Sequence, residues 1–468
     1  MYNLSFEHTF GLVITLLFIT FLGYFSGRNI KSSSDFSTGG RRADSSVIVG
    51  AITGTLVGGA STIGTAQLAF VSGLSAWWFT LGAGIGCLVL ALFFAEPFYK
   101  MNKGTIPQIL CDEYGQIAGP ISSIFVSIGM FLNIVAQVLS AVALITSMFK
   151  MLPFSAAVIA ILIMATYVIF GGVWGAGIVG VAKLLLLYLA MLVGGIISYK
   201  GLGGLSGIFS TFPANPYFNL FGRGFWVDFA AGFSLVIGVI STQTYFQAVV
   251  SGKSVKEAKK GALISAIIIP PIGIAGILIG LYMKANFPNI NPASALPLFV
   301  INHLNPWLGG VILATLLIAV AGTGSGLTLG ISTIFAKDIY AKFINPKAND
   351  GVLLRVTRLS IIAVLSITLL FITGNLKSLI LKWSFMSMGL RGATVFAPLC
   401  AAIFMRGRVD RRFAILSMVI SPLTVLVGKF ILPENIDPLI PGILIGMLLI
   451  FAGALFNKRT PKNKTQMA

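Results

Sequence analysis

The sequence predicts an all-α polytopic membrane protein with about 13 transmembrane helices. Three observations carry this: long apolar runs, scarce charge, and cations confined to alternate connections. Apolar residues fill 56% of the 468 positions and charged residues only 10%, whereas a soluble domain is about a quarter charged. A water-soluble globule is therefore excluded. A run of about 20 apolar residues crosses about 30 Å of hydrocarbon as a helix, bonding every backbone group within the segment.

In chain order the apolar runs fall at 7–27, 45–70, 75–99, 118–149, 154–172, 176–199, 226–250, 261–283, 307–335, 354–374, 377–404, 412–432 and 438–457. The first has no basic segment before it and no small-residue cleavage site after it, so it is expected to be kept as a helix rather than removed as a signal peptide. The net charge of +19 would suggest nucleic acid if it were gathered on one face, but it is dispersed in short connections.

Those connections alternate. One set holds Arg28, Lys31, Arg41 and Arg42, then Lys100 and Lys103, then Lys253, Lys256, Lys259 and Lys260. It continues with Lys337, Lys342, Lys347, Arg355 and Arg358, with Arg406, Arg408, Arg411 and Arg412, and with the tail Lys458, Arg459, Lys462 and Lys464. The opposite set holds only Lys150, Lys200, Arg223, Lys284 and Lys377. Short cytoplasmic loops carry the excess of Lys and Arg, which places the N-terminus outside and the C-terminus in the cytoplasm of a cell (inner) membrane. The connections 201–225 and 284–306 then read as extracellular capping loops rather than folded units. Cys87, Cys111 and Cys400, with His8 and His303, have no metal or disulfide spacing.

Two segments are unusual for apolar helices. Residues 54–67 read Gly-Thr-Leu-Val-Gly-Gly-Ala-Ser-Thr-Ile-Gly-Thr-Ala-Gln. Small residues allow close helix packing, but this density of glycine and hydroxyl also favours a locally unwound stretch whose freed carbonyls bind a cation near mid-membrane. Residues 319–328 of the ninth span, Ala-Val-Ala-Gly-Thr-Gly-Ser-Gly-Leu-Thr, repeat the pattern. One such segment in each half is what an inverted-repeat transporter would show.

The chain resembles the solute:sodium symporter family, which has the leucine-transporter type of fold within the APC superfamily. The matching pieces are Ser34-Asp35-Phe36 with Gly39-Gly40-Arg41, Ala60-Ser61-Thr62, Gly73-Leu74-Ser75 with Trp77, Tyr114-Gly115, and Gln137. Further on come Tyr245-Phe246-Gln247 with Lys253 to Ala258, Ser332 to Tyr340, and Gly392-Ala393-Thr394 with Pro398. Their order and spacing cover nearly the whole chain.

The resemblance implies a peripheral first helix and loop (1–44), a first five-helix repeat (45–200), an extracellular loop (201–225), a second, inverted repeat (226–404), and two peripheral helices with a tail (405–468). It implies import of a small organic solute by sodium symport with alternating access, in a lipid bilayer. No other cofactor, nucleic acid or obligatory protein partner is expected. Carried over residue by residue, the sodium ligands are the carbonyls of Thr55, Gly58 and Ala319 and the hydroxyl positions Gly322 and Thr323. Glycine at 322 lacks one of the two hydroxyls, and a hard cation needs several oxygens. Ser61, Thr62, Gln67 and Gln137 rank first as solute ligands, being on helices whose counterparts line the solute cavity.

Lys183 departs from the pattern. Similar proteins commonly carry an acid near Gly180 and a glutamine near position 183. An intramembrane lysine invites a functional hypothesis, and two readings stand. In one the ammonium takes the place of the sodium ion, a desolvated lysine cycling its proton, and transport is proton-coupled or sodium-independent. In the other Lys183 snorkels to the cytoplasmic interface.

Asn133, Gln243, Lys382 and Arg391 read as interhelical hydrogen-bonding residues. Trp77, Trp78, Trp383 and Phe385 read as apolar walls, gates or interface anchors, Glu96 as structural, and Asp228 as a water-facing residue at the outer end of the seventh span. No nucleophile, base or metal constellation supports an enzyme. A channel would need rings of carbonyls or charges around an axis. A membrane solute sensor that binds without transporting is the competing class.

Overall fold

The computed structural model describes residues 4–27, 41–171, 175–433 and 436–457. The expected topology signals Arg28, Lys31, Lys458, Arg459, Lys462 and Lys464 and the motif residues Ser34–Phe36, Gly39 and Gly40 lie outside them. Among the described residues there is no strand; a single parallel bridge joins Ala43 to Gly252.

Helix occupies each of the 13 apolar stretches. The chain starts them where its sequence allows: Pro153 and Pro306 open helices at positions where the missing N–H costs nothing. Side chains of Thr105, Ser254, Asn305, Asn349 and Asp410 cap first-turn N–H groups. Among the described residues eight helices are long and apolar enough to cross a membrane, nine if the bent pair Phe225–Ile240 and Gln243–Val250 counts as one. Length and composition of the described residues thus do not confirm the expected count of 13. Helices Phe6–Gly27 and Pro153–Gly171 fill the first and fifth stretches, Ser45–Leu56 and Leu439–Leu455 are shorter, and the second and third stretches share the run Ala60–Met101.

The second span is broken. Helix Ser45–Leu56 ends at Val57, whose backbone is extended, and helix resumes with one wide π-turn over Ala60–Gly64. The seventh span breaks at Ser241–Thr242, where its two halves are bent by 46°. The ninth span is unbroken. Its glycine-hydroxyl segment lies within one continuous helix, Pro306–Ile334, and the second interruption is in the seventh span. Neighbouring helices supply the reason: Gly324 packs on the Met164 sulfur, and Ser325 donates to the Met164 carbonyl at 2.9 Å, so the small residues are used for close packing.

The capping connections also contain structure. Short helices Gly204–Thr211 and Ala214–Tyr217 lie in the first, and Ala295–His303 in the second. At the opposite end, Glu257 accepts from the Ser45 N–H at 2.8 Å and Lys253 pairs with Asp44, clasping the start of the second span to the loop after the seventh. Glu96 is structural as expected, bound to Lys100 and Lys259 at 2.7 Å each.

Candidate functional site

In a continuous helix the carbonyls of Gly54 and Thr55 would accept from the N–H groups of residues 58 and 59. Here the Gly58 N–H turns to Ser61 Oγ at 3.0 Å and the Gly59 N–H to Gln137 Oε1 at 3.3 Å. Both carbonyls lose their helical donors. Gln137, on the fourth span, is held in turn by its Nε2 donating to Asn133 Oδ1 at 3.1 Å, so Asn133 is a working part of the site.

Two glycines make the break possible. A methyl group on Gly59 would sit 2.5 Å from Ser140 Cβ and 2.8 Å from Val320 Cγ2, and one on Gly58 would lie 3.1 Å from Thr323 Oγ1. The unwound segment is therefore pressed directly on the fourth and ninth spans.

Thr323 is buried and donates to the Ala319 carbonyl at 2.9 Å, with its Oγ1 beside Gly58. Of the five candidate ion ligands, Gly58, Ala319 and Thr323 meet here. The Thr55 hydroxyl turns back to the Ala51 carbonyl at 2.8 Å, while its own carbonyl is released by the break. Gly322 is half-buried on the same helix.

The Gly58 carbonyl is occupied from its own chain, by Ser61 Oγ at 3.0 Å and Thr62 Oγ1 at 2.8 Å. These two candidate solute ligands cap the break in this conformation. Gln67 is more firmly committed: its Oε1 accepts from Ile380 N at 2.8 Å and its Nε2 reaches the Ser378 carbonyl at 3.5 Å. It thus fastens the start of helix Ile380–Phe404 to the second span.

Lys183 does not snorkel. It is buried, and its ammonium donates to the Gly54 carbonyl at 2.8 Å. The carboxyl end of a helix carries partial negative charge on its unpaired carbonyls, which gives the ammonium a partner where no carboxylate is present.

Arg391, read from sequence as an ordinary polar packing residue, is almost fully buried on the eleventh span. Its Nε donates to the Ser387 carbonyl at 3.1 Å, Nη1 to Thr242 Oγ1 at 3.1 Å, and Nη2 to Ser387 Oγ at 2.9 Å and to the Met388 sulfur at 3.3 Å. Its neighbour Thr242 marks the break of the seventh span. No periodicity in the sequence betrays that break, because Ser241 and Thr242 are ordinary residues in an apolar run.

Over one end of the bundle lies the 201–225 connection. Trp78 Nε1 donates to the Leu220 carbonyl at 2.7 Å, and Gly73, at φ +60°, packs on the Tyr217 backbone. Asp228 does not face water: fully buried, it accepts from Arg223 through the backbone N–H at 2.9 Å, Nε at 2.7 Å and Nη2 at 2.5 Å. Arg223 also lies over the Phe385 ring at 5.7 Å.

Among the described residues two helices are broken, each beside a buried cation, the kind of discontinuous helix from which transporter sites are built. The sequence model "Sodium:solute symporter family" matches residues 36–421, and the chain belongs to that family. It is 23% identical to the sodium/proline symporter of Salmonella typhimurium, over 93% of this chain and 90% of that protein. It is 24% identical to the sodium/sialic acid symporter of Proteus mirabilis, over 92% and 90%. A high-affinity choline transporter of Drosophila melanogaster is 23% identical over 75% of this chain, but the match spans only 60% of that protein. A substrate-bound, outward-open structure of a sodium-coupled sialic acid symporter superposes with a TM-score of 0.76, at 21% identity, over 97% of each chain. A nucleobase-cation-symport-1 family transporter superposes with 0.56 at 14% identity, covering 92% of this chain and 98% of that one. This is an integral membrane transporter of the sodium:solute symporter family, and this membership favours neither the lysine-coupled alternative nor a sensor.

Proposed function

We propose that this chain imports a small organic solute by sodium symport, the ion resting where the released Thr55 carbonyl and the Gly58 segment meet Ala319 and Thr323. The observation that carries the reading is the close approach of the unwound segment to the Thr323 hydroxyl. A hard cation is held by several oxygens, and a broken helix offers carbonyls that no intrahelical donor competes for. Gly322 supplies no hydroxyl, so water or solute completes the set. Ser61, Thr62 and Gln137 contact the solute once the capping bonds to Gly58 and Gly59 are exchanged; Gln67 is a positioning residue.

The chain crosses the bilayer about 13 times, with repeats over 45–200 and 226–404. Two observations support this. At 1.5 Å per residue, the 42 residues of Ala60–Met101 extend about 63 Å, twice the hydrocarbon thickness, and they are interrupted at Gly73. Helix neighbours also pair off symmetrically: the second span packs on the sixth and eighth, and the seventh packs on the eleventh and third. Cation-rich loops support an N-terminus outside and a C-terminus in the cytoplasm, and the inner membrane is the setting proposed.

A specific contact favours a second reading. The Lys183 ammonium on the Gly54 carbonyl is a fixed cation one residue from a proposed ion ligand, as coupling without sodium would require. Uptake of a mixed solute library into proteoliposomes under separate sodium and proton gradients tests both. Sodium-dependent accumulation supports the first reading, accumulation in sodium-free buffer the second, and binding without flux makes the chain a sensor.

A further inference from the structure

The described interior holds two buried cations, Lys183 and Arg391, and one buried carboxylate, Asp228. That carboxylate is already bound to Arg223, and among the described residues no carboxylate forms an ion pair with either buried cation. Lys183 has the carboxyl end of a half-helix as its partner. Arg391 has only neutral acceptors, and a buried charge with no counter-charge is costly.

Its surroundings are also short of acceptors. Ser241 and Ser384 are buried, and their hydroxyls have no hydrogen-bond partner. Ser384, Ser387 and Arg391 recur at the three- and four-residue spacing that places them on one face of helix Ile380–Phe404. Ser241 adjoins Thr242, to which the guanidinium bonds. Thr242 is also the N-cap of half-helix Gln243–Val250 but spends its hydroxyl on the Gly238 carbonyl at 2.6 Å, so no side chain caps the first N–H groups of that half-helix. An uncapped helix amino end adds partial positive charge and free donors at the same break.

This face lies at the centre of the bundle. Ser387 Oγ donates to the Gly129 carbonyl of the fourth span at 2.6 Å, two turns from Gln137, and Gly64 of the second span packs on Ile380 and Leu381 one turn before Ser384. Second, fourth, seventh and eleventh spans thus converge on it.

We propose that the transported solute bears a carboxylate, and that Arg391, with the Ser241 and Ser384 hydroxyls and the amino end of Gln243–Val250, is its binding group. The charge argument agrees with symport: a sodium ion alone would add a third positive charge to this interior, whereas an ion and an organic anion entering together leave it unchanged. This identification rests on the transport reading above, and its test separates the two.

Wild-type protein and the variants Arg391→Gln, Ser241→Ala and Ser384→Ala would be reconstituted under an inward sodium gradient. The probes are acetate, propionate, pyruvate, lactate and benzoate, the neutral amides of the same acids, glucose and choline. Each probe would be run in uptake and as a ligand in thermal unfolding of the purified protein. The expected result is accumulation of one or more carboxylates, with the matching amide ignored. Arg391→Gln should raise the half-saturating concentration about 10- to 100-fold, the range for losing a hydrogen bond to a charged group. The serine variants, which remove no charge and add no bulk, should raise it several-fold. Accumulation of amides, glucose or choline in preference to carboxylates overturns the assignment and leaves the transport reading standing. Carboxylates that raise the unfolding temperature of wild type but not of Arg391→Gln, with no flux of any probe, would uphold the anion site and remove the transport reading. Carboxylates that protect no form of the protein, or protect Arg391→Gln equally, overturn it.

Discussion

The Lys183 ammonium lies 2.8 Å from the Gly54 carbonyl, so a side chain of the sixth span caps the carboxyl end of the half-helix that opens the second. The contact satisfies a carbonyl freed by the break and places a fixed positive charge next to Thr55. At about 6 Å and an effective dielectric of about 20, two unit charges repel by roughly 3 kcal/mol. Under sodium symport Lys183→Gln, which keeps a donor and removes the charge, should therefore lower the half-saturating sodium concentration by about tenfold or more. Sodium titration of uptake measures this. An unaltered sodium dependence, with an unaltered pH profile, would remove Lys183 from the coupling mechanism.

Thr323 offers the one hydroxyl of the proposed ion site, and position 322 lacks its partner. Thr323→Val preserves shape and deletes an oxygen ligand, so the sodium requirement should rise about tenfold with little change in solute affinity at saturating sodium. Gly322→Ser should act in the opposite direction by restoring a second hydroxyl. Lithium and sodium titrations of both variants provide the check. Equal sodium affinity in all three proteins would mean that the ion is held elsewhere.

Gln67 accepts from the Ile380 N–H and sits two turns beyond the break. Replacing it with leucine leaves a buried donor unpaired, at about 1–3 kcal/mol. Unfolding temperature should fall while solute KM changes little. A large rise in KM at unchanged stability would instead return Gln67 to the solute cavity.

Asp228 is buried and bound to Arg223 by three contacts. Asp228→Asn keeps the shape and strands the guanidinium, a change that typically costs about 3–5 kcal/mol for a buried pair. The double variant Asp228→Asn with Arg223→Gln should recover part of that loss. Chemical denaturation of the three proteins gives the coupling, and additive losses would show that the pair is not a unit.

His303 lies in the 284–306 connection among the rings of Tyr282, Phe287 and Phe299, with its Nε2 buried and unbonded. Burial holds its imidazole below the ordinary value of about 6.5. The neutral form is thus favoured on folding. Its contribution is fully present above pH 6.5 and is lost as the pH falls through the lower folded value. Unfolding temperature should drop between pH 7.5 and pH 5, and His303→Phe should flatten that drop. Parallel curves for the two proteins would assign the acid sensitivity to other groups.

Much of the site was readable from residue types. The density of glycine and hydroxyl over residues 54–67 announced an unwound stretch, because such residues both tolerate and satisfy a broken helix. Over residues 319–328 the same residue types lie inside an unbroken helix, where Gly324 packs on Met164 and Thr323 lies beside Gly58. Composition alone does not separate those uses. Gln67 and Gln137 were both ranked as solute ligands, but one fastens a helix start and the other holds the break open, a difference set by which N–H group lies opposite.

The sequence by itself determined that the chain is a helical membrane protein, since hydropathy and loop charge act locally and along the chain, and its motifs carried the resemblance to a transporter family. It also supplied the small residues that let the second span press on the fourth and ninth. Only the tertiary structure decided which polar groups are left without partners. Asp228 found its arginine five positions away, but Lys183 gained the Gly54 carbonyl and Arg391 the Thr242 hydroxyl across more than a hundred positions, contacts that local sequence does not encode.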